Sequence, residues 1–181
     1  IHYPLRRQRQ MCIRDSIETV LNYPQDGVEF KDITPLLRDQ AAFRFALDEF
    51  EKHFAGDDIQ FIAGIEARGF LFASALADRL KCGLIPIRKS GKLPGDVLTQ
   101  EYDLEYGTAE LEVRRDSLAH DARVLIIDDV LATGGTAICA ANLLKRIGAD
   151  ILGFAFLVSL QFLGGEQKLH GYRTVTLIQY E

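Results

Sequence analysis

The chain has 181 residues, of which 48% are hydrophobic and 26% are charged, and its formal net charge is −5. This length and composition predict one globular domain with a substantial core. The acidic balance argues against a nonspecific nucleic-acid binder, and no apolar run reaches the roughly 18 residues that cross a bilayer. We therefore expect neither nucleic acid nor a membrane as a partner.

The cysteines and histidines indicate neither a disulfide framework nor a metal centre. The three cysteines are odd in number and widely spaced, which favours reduced thiols in a cytoplasmic protein. The four histidines are scattered and lack the spacing of metal ligands. We therefore expect no direct protein ligand to a metal.

Residues 1–15 differ from the rest of the chain. Four arginines make this stretch basic, and it has no apolar core of the kind found in a secretory signal. The alternatives are a transit-type segment, a nucleic-acid-binding arm, an artefactual extension or a disordered tail. We favour an artefactual or disordered tail, which leaves residues 16–181 as a single domain.

After the tail, helical and strand patterns alternate, which predicts an α/β fold with a mainly parallel sheet flanked by helices. The predicted helices cover residues 16–22, 41–54, 69–80 and 137–147. The predicted strands cover residues 61–65, 84–87, 124–127, 151–159 and 175–179.

The alternation breaks between Lys89 and His120. Long excursions inside a compact domain are usually functional, so we interpret this one as a flap or hairpin that closes over a site. Residues 111–113 alternate like an edge strand. The competing interpretation is a surface insertion without a function.

The run from Val124 to Thr136 carries the clearest chemical signal. A buried strand leads to Asp128 and Asp129, which we expect at the exposed rim because burying either acid without a partner is costly. A loop of small and hydroxyl residues follows, and the next helix points its positive end at that loop. Free N–H groups and a helix dipole suit a phosphate monoester, and the two acids suit the neighbouring hydroxyls of a ribose.

This run lacks the lysine of a Walker loop and the glycine spacing of a dinucleotide fold. The remaining alternative is an ordinary strand-turn-helix connection. The loop consists of Ala132, Thr133, Gly134, Gly135 and Thr136.

Two other segments follow predicted strands and belong at the same edge of the sheet. Residues 66–69 place Arg68 at a helix start, where it is a candidate clamp for a diphosphate or, alternatively, a partner in a surface ion pair. Residues 88–92 bring together three cations, which suit a departing diphosphate but taken alone are typical of a solvated loop. The cations are Arg88, Lys89 and Lys92.

Residues 124–136 resemble the phosphoribosyl pyrophosphate signature of the type I phosphoribosyltransferases, and DDVLATGGT is similar to the adenine phosphoribosyltransferases in particular. The resemblance extends from about Ser16 to Glu181. It includes the motifs at Tyr23–Pro24, Gly27–Val28, Phe30–Thr34, Glu66–Phe72, Arg88–Gly95 and Glu105–Gly107.

The resemblance implies a parallel sheet with a small N-terminal hood and a flexible β-hairpin flap. It assigns the phosphoribosyl group to Asp128, Asp129 and loop 132–136. It assigns pyrophosphate to a loop that often contains a non-proline cis peptide, here Glu66–Ala67, and to nearby cations, with Lys92 arriving from a partner subunit. These pyrophosphate-binding residues are Glu66, Ala67, Arg68, Arg88, Lys89 and Lys92.

For the base, the resemblance implies an adenine site at Glu29, Phe30 and Lys31. Phe30 is a stacking candidate, although alone it fits a core position equally well, and the backbone of Glu29 reads the adenine edge. Lys31 stands where the family commonly has arginine. On the flap, the resemblance makes Glu105 the catalytic group for proton transfer, with Tyr106 beside it.

The implied activity is the conversion of adenine and phosphoribosyl pyrophosphate to AMP and pyrophosphate, a reaction of purine salvage. It implies Mg²⁺ held mainly by the substrate, a cytoplasmic location and a homodimer. The rivals are a transferase for hypoxanthine, guanine or xanthine, and a regulator that senses phosphoribosyl pyrophosphate and binds nucleic acid without catalysis.

Overall fold

The computed structural model describes residues 11–103 and 107–181. The chain forms two compact units, Ile1–Lys52 and His53–Glu181. The single domain expected for residues 16–181 and its boundary at residue 15 stay predictions. Residues 11–15 are helical, and Ile13 among them is fully buried.

After residue 15, the first unit contains a two-stranded hairpin and two helices. Strand β1 (Glu18–Leu21) pairs antiparallel with β2 (Glu29–Asp32). Helices α1 (Thr34–Arg38) and α2 (Gln40–His53) follow. The helix predicted over 16–22 is wrong, because this segment contains two adjacent β-branched residues, Thr19 and Val20, and pairs across the hairpin with β2.

The second unit is built on one seven-stranded sheet. Its strands are β3 (Phe61–Ile65), β4 (Gly83–Lys89), β5 (Val97–Asp103), β6 (Thr108–Arg114), β7 (Arg123–Leu131), β8 (Asp150–Leu160) and β9 (Thr174–Tyr180). Their order across the sheet is β5-β6-β4-β3-β7-β8-β9. Strands β4, β3, β7, β8 and β9 run parallel, whereas β5 and β6 are antiparallel to their neighbours.

The second unit also contains three helices, which are α3 (Gly69–Leu80), α4 (Gly135–Arg146) and α5 (Gly165–Lys168), together with a 3-10 turn at Gln161–Leu163. The main core packs α4 against alternate residues of the strands, such as Ile65 and Ile126. The opposite face, which includes Gly64, packs against α3, where Ala73 and Phe70 leave no room for a side chain at position 64. Helices therefore cover both faces, and the α/β prediction is confirmed.

The excursion after Lys89 is a hairpin of β5 and β6, as expected. The edge strand is β5, however, and β6 lies between β5 and β4, so the edge position predicted for residues 111–113 is wrong. All three of those residues are buried. Since successive side chains point to opposite faces of a sheet, both faces of β6 are covered at this point.

All three cysteines are free thiols: Cys12 is exposed, Cys82 is partly exposed and Cys139 is buried. Burial raises the pKa of Cys139 to about 11. Within the described residues, none of the helices has both the length and the apolar character needed to cross a membrane.

Candidate active site

The candidate site lies where neighbouring parallel strands β4, β3 and β7 end. Gly64 on β3 pairs with Ile127 on β7, and Ile65 pairs with Ile87 on β4. Residues 66–68, 88–92 and 128–136 therefore meet at one edge of the sheet, as the sequence predicted. Two helix N-termini, those of α3 and α4, begin at this edge.

The loop after β7 exposes backbone donors at the start of α4. Gly134 is the N-cap residue, with φ of 78° and ψ of −3°, and no side chain caps the helix. The helix begins at Gly135, two residues before the predicted start. Since the first N–H groups of a helix have no partners within the helix, this end can bind an anion. Thr133 and Thr136 are partly exposed beside it.

A second loop fixes the position of this phosphate-binding candidate. A Cβ atom at Gly165 would lie 2.1 Å from the carbonyl oxygen of Ala132 and 3.0 Å from the nitrogen of Gly134. A Cβ at Gly134 would lie 2.7 Å from the carbonyl oxygen of Gly165. The two backbones touch directly, and Gly134 also adopts the left-handed conformation that favours glycine. Sequence reasoning did not identify Gly165.

The two acids lie inside β7, which continues to Leu131 and does not end at Ile127 as predicted. Asp129 is buried, with 4% of its surface exposed, so the expectation that both acids lie on the exposed rim is wrong for this residue. The reason is a partner: Arg68 Nε lies 2.8 Å from Asp129 Oδ2. Asp128 is partly exposed and accepts a hydrogen bond from the Asp129 N–H at 2.8 Å.

The Arg68 contact is electrostatic, because Asp129 Oδ2 has no well-aligned hydrogen-bond donor among the described residues. Arg68 thus forms an ion pair with a buried carboxylate, whereas the alternative to its predicted role was a surface ion pair. Its role as a diphosphate clamp stays a prediction.

Burial and the neighbouring charge of Asp129 raise the pKa of Asp128 well above its usual value. Burial also raises the pKa of Asp129, while Arg68 opposes that increase. Arg68 lies 2.8 Å from Asp129 and therefore compensates that carboxylate directly.

Strand β4 supplies a second ion pair at the same edge. Arg88 Nη2 lies 3.1 Å from Glu66 Oε1 and its Nε lies 3.3 Å from Oε2, while the Lys89 N–H donates to Oε2 at 2.9 Å. The hydrogen bonds from Arg88 lower the pKa of Glu66, although burial opposes them. The Glu66–Ala67 peptide is cis, as the resemblance implied.

Arg88 also fixes the turn that carries the exposed residue Lys92. Its Nη1 donates to the Lys92 carbonyl oxygen at 3.0 Å. From the other side, the buried carboxylate of Glu112 accepts hydrogen bonds from three consecutive backbone N–H groups, at 3.0, 2.7 and 2.5 Å. The donors are Gly91, Lys92 and Leu93. Sequence reasoning missed Glu112, whose partners lie 19 to 21 residues away.

The predicted adenine contacts lie on the β1–β2 hairpin of the first unit. The Phe30 ring packs edge-on against Tyr23, with centroids 5.2 Å apart. Lys31 is buried and donates to Thr19 Oγ1 at 2.9 Å and to Glu29 Oε2 at 3.4 Å. These assignments stay predictions. Glu105 and Tyr106 lie outside the described residues.

Comparisons with known proteins identify the family. A family model for the phosphoribosyl transferase domain matches residues 34–178. Adenine phosphoribosyltransferase of Idiomarina loihiensis is 50% identical over 170 residues, covering 93% of this chain and 96% of the relative.

Two solved structures have the same fold. Adenine phosphoribosyltransferase of Thermoanaerobacter pseudethanolicus superposes with a TM-score of 0.92 at 43% identity, covering 94% of this chain and 99% of that one. The Saccharomyces cerevisiae enzyme, solved with adenine and an imino-altritol bisphosphate, gives 0.89 at 34% identity, with coverage of 94% and 99%. The chain therefore belongs to the phosphoribosyltransferase family and, within it, to the adenine phosphoribosyltransferases.

Proposed function

We propose that this chain transfers the 5-phosphoribosyl group of phosphoribosyl pyrophosphate to adenine and releases AMP and pyrophosphate, a reaction of purine salvage. The chain belongs to this family, and one observation carries the proposal. Three loops meet at one edge of the sheet, namely residues 66–68, 88–92 and 128–136. The N-terminus of α4 and its loop supply donors for the 5-phosphate, and the acids beside them supply acceptors for the ribose hydroxyls.

The phosphate contacts are the backbone N–H groups of loop 132–136 and the hydroxyls of Thr133 and Thr136. An uncapped helix start with a glycine N-cap supports this assignment, because the helix dipole favours a negative group there. Asp128 and Asp129 accept hydrogen bonds from the ribose 2- and 3-hydroxyls. The partly exposed position of Asp128 near the end of β7 supports that role.

The diphosphate contacts are the backbone of residues 66–68 together with the cations Arg68, Arg88, Lys89 and Lys92. The Glu66 carboxylate is neutralised by Arg88, so it repels the diphosphate less than an unpaired acid. As the bond from C1 of the ribose to the diphosphate oxygen breaks, the electron pair leaves with the diphosphate. These groups stabilise the charge that develops there.

Mg²⁺ fits this donor set as a substrate-held ion. Carboxylate and phosphate oxygens are its preferred ligands, and Asp128 and Asp129 lie beside the ribose position. No group of three or more potential metal ligands occurs among residues 11–103 and 107–181, so the diphosphate and the ribose hydroxyls would provide most of the coordination. When bound, the ion supplies charge neutralisation for the diphosphate.

The base lies against Phe30, with its edge read by the backbone of Glu29 and with Lys31 alongside. Adenine N9 donates the electron pair that forms the new bond to C1 of the ribose. Glu105 accepts the proton that the imidazole ring of adenine loses as this bond forms, and Tyr106 follows Glu105 in the sequence. The ribosyl centre is oxocarbenium-like, so catalysis depends on position and charge and not on a covalent protein nucleophile.

The active form is a homodimer in the cytoplasm, and Lys92 reaches the partner's site. The exposed position of Lys92 supports this geometry, and the three free cysteines support a reducing compartment.

The direct test incubates the protein with Mg²⁺, phosphoribosyl pyrophosphate and each purine base in turn, and then measures the nucleotide formed. We expect AMP from adenine and at most trace product from hypoxanthine, guanine or xanthine. Preference for another base would assign a different purine, and a salt-dependent gel shift without any nucleotide would favour the regulator.

A double variant tests the two acids of the site. Replacing both Asp128 and Asp129 with Asn should abolish turnover while the circular dichroism spectrum is retained. Near-normal kinetics in this double variant would remove the two acids from the mechanism.

A further inference from the structure

Glu112 is a buried carboxylate to which the mechanism above gives no role. Only 2% of its surface is exposed, and burying a carboxylate is costly unless hydrogen bonds and a counter-charge compensate for it. Both are present here. Three consecutive backbone N–H groups, those of residues 91–93, donate to its two oxygens, and Arg88 stands directly opposite it across the β4–β6 pair.

These contacts keep Glu112 ionised. Burial on its own would raise its pKa, but the N–H groups of Leu93, Gly91 and Lys92 together with the charge of Arg88 hold the pKa below its usual value. The carboxylate therefore bears a full negative charge at neutral pH. A charged acceptor makes these hydrogen bonds stronger than neutral ones.

The turn that Glu112 holds follows two of the proposed pyrophosphate-binding cations and contains a third. Its first part follows Lys89, and its middle residue is Lys92, whose carbonyl oxygen is fixed by Arg88 at 3.0 Å. Arg88 in turn pairs with Glu66. One continuous set of hydrogen bonds thus joins Glu112, the turn, Arg88 and the loop after β3.

We propose that Glu112 is a positioning residue for the diphosphate end of the substrate, acting through the backbone of residues 91–93 to hold Lys92 in place. A fixed backbone reduces the entropy that the lysine loses when it binds an anion. The proposal rests on the proposed function, since it concerns the same diphosphate site. It predicts that a change at Glu112 weakens the binding of pyrophosphate and leaves the binding of AMP nearly unchanged.

The test compares Glu112→Gln with Glu110→Gln, a matched change of an exposed glutamate on the same strand. Glutamine keeps the size of Glu112 but loses its charge and places an NH₂ group against one of the three N–H donors. We expect pyrophosphate to bind the E112Q protein more weakly by about tenfold or more in calorimetry with Mg²⁺. The KM for phosphoribosyl pyrophosphate should rise similarly, whereas AMP affinity should change less than about twofold.

A general loss of structure would weaken AMP and pyrophosphate alike, and that result would overturn the proposal. So would an unchanged pyrophosphate affinity in E112Q. If wild-type protein and E110Q form no AMP, the proposed function fails instead, so the two failures are distinguishable.

Two further variants test the route of action. In a Lys92→Ala background, the change E112Q should weaken pyrophosphate binding by less than about twofold, because residues that act through one another are non-additive. A full additional loss would show that Glu112 does not act through Lys92. Gly91→Ala strains the same turn, since Gly91 has φ of +79° and open space around it, and leaves Glu112 intact. It should also weaken pyrophosphate selectively, and an unchanged affinity would count against the proposal even if E112Q fails to fold.

Discussion

Asp128 and Asp129 are adjacent in the chain but differ in their surroundings. Asp129 is compensated by Arg68 at 2.8 Å, whereas the raised pKa of Asp128 reflects burial and the charge of Asp129. A carboxylate whose ionised form is penalised in the folded state reduces stability. Binding sites commonly carry such a cost in stability.

The sign of this effect predicts how stability depends on pH. Because the pKa of Asp128 in the folded state is above its unfolded value near 3.8, the folded protein binds more protons between these two values. The free energy of unfolding therefore falls as the pH rises through that interval. Asp128→Asn should thus be more stable than wild type at pH 8, by about 0.5–2 kcal/mol, and much less active.

Urea unfolding at several pH values measures this difference. The advantage of Asp128→Asn should shrink as the pH falls towards 4. A variant less stable than wild type at pH 8 would contradict the assignment of an electrostatic penalty to Asp128.

Glu105 carries the prediction on catalysis. Glu105→Gln removes the group that transfers the proton but keeps its size, so turnover should fall by roughly 10²–10⁴ while the KM values change little. Steady-state kinetics separate the two effects. An unchanged turnover number would exclude Glu105 from the mechanism.

At this scale, the sequence predicted which segments lie at one sheet edge but missed individual side-chain pairs between distant residues. Asp128, Asp129 and loop 132–136 form one continuous motif. Glu112 depends on donors 19 to 21 residues away, and nothing in its local pattern distinguishes it from an exposed glutamate. The Arg68–Asp129 pair was missed for the same reason, since 61 positions separate the two residues.

Among the elements, prediction succeeded where hydrophobic periodicity was strong. Strand β3 and helix α3 have the predicted bounds, because a continuous apolar run sets the strand and apolar residues at helical spacing set the helix. Strand β7 is longer than predicted since its partner β8 continues alongside through the acids. Residues 16–22, which include β1, were predicted as a helix because this short strand depends on its pairing with β2 and not on its own propensity.

The contact between α5 and the phosphate loop predicts a sensitive position. In Gly165→Ala, the new methyl group would lie 2.1 Å from the Ala132 carbonyl oxygen, so the loop must shift. We expect the KM for phosphoribosyl pyrophosphate to rise by about tenfold or more, with a loss of stability of about 1–3 kcal/mol.

Gly171→Ala is the control for this change. Gly171 has φ of +94°, and no heavy atom lies within 4 Å of the position that a methyl group would take there, so alanine adds strain without a clash. It should cost about 1 kcal/mol of stability and leave the KM unchanged. If the KM for phosphoribosyl pyrophosphate changed equally in both variants, the loss of stability, and not the position of loop 132–136, would explain the weaker substrate affinity.

For the whole molecule, the proposed homodimer predicts that two inactive variants can restore activity to each other, which is impossible if the site lies within one chain. Lys92→Ala and the Asp128→Asn/Asp129→Asn double variant should each be nearly inactive. Unfolded together and refolded as an equal mixture, they should recover about a quarter of wild-type activity. Half of the randomly formed dimers would then contain one complete site out of two.

Activity assays before and after mixing provide the measurement, and each variant refolded alone is the control. Absence of recovery, with dimers present by sedimentation, would place Lys92 in the site of its own chain.

The unequal surroundings of the three thiols have a practical consequence. Cys12 is exposed, whereas Cys139 is buried and its pKa of about 11 keeps it protonated at neutral pH. A maleimide dye added at neutral pH should therefore attach first at Cys12, and Cys139 should stay unlabelled. The native chain thus provides a labelling site at Cys12 for a fluorescent dye or for attachment to a surface, without an engineered cysteine.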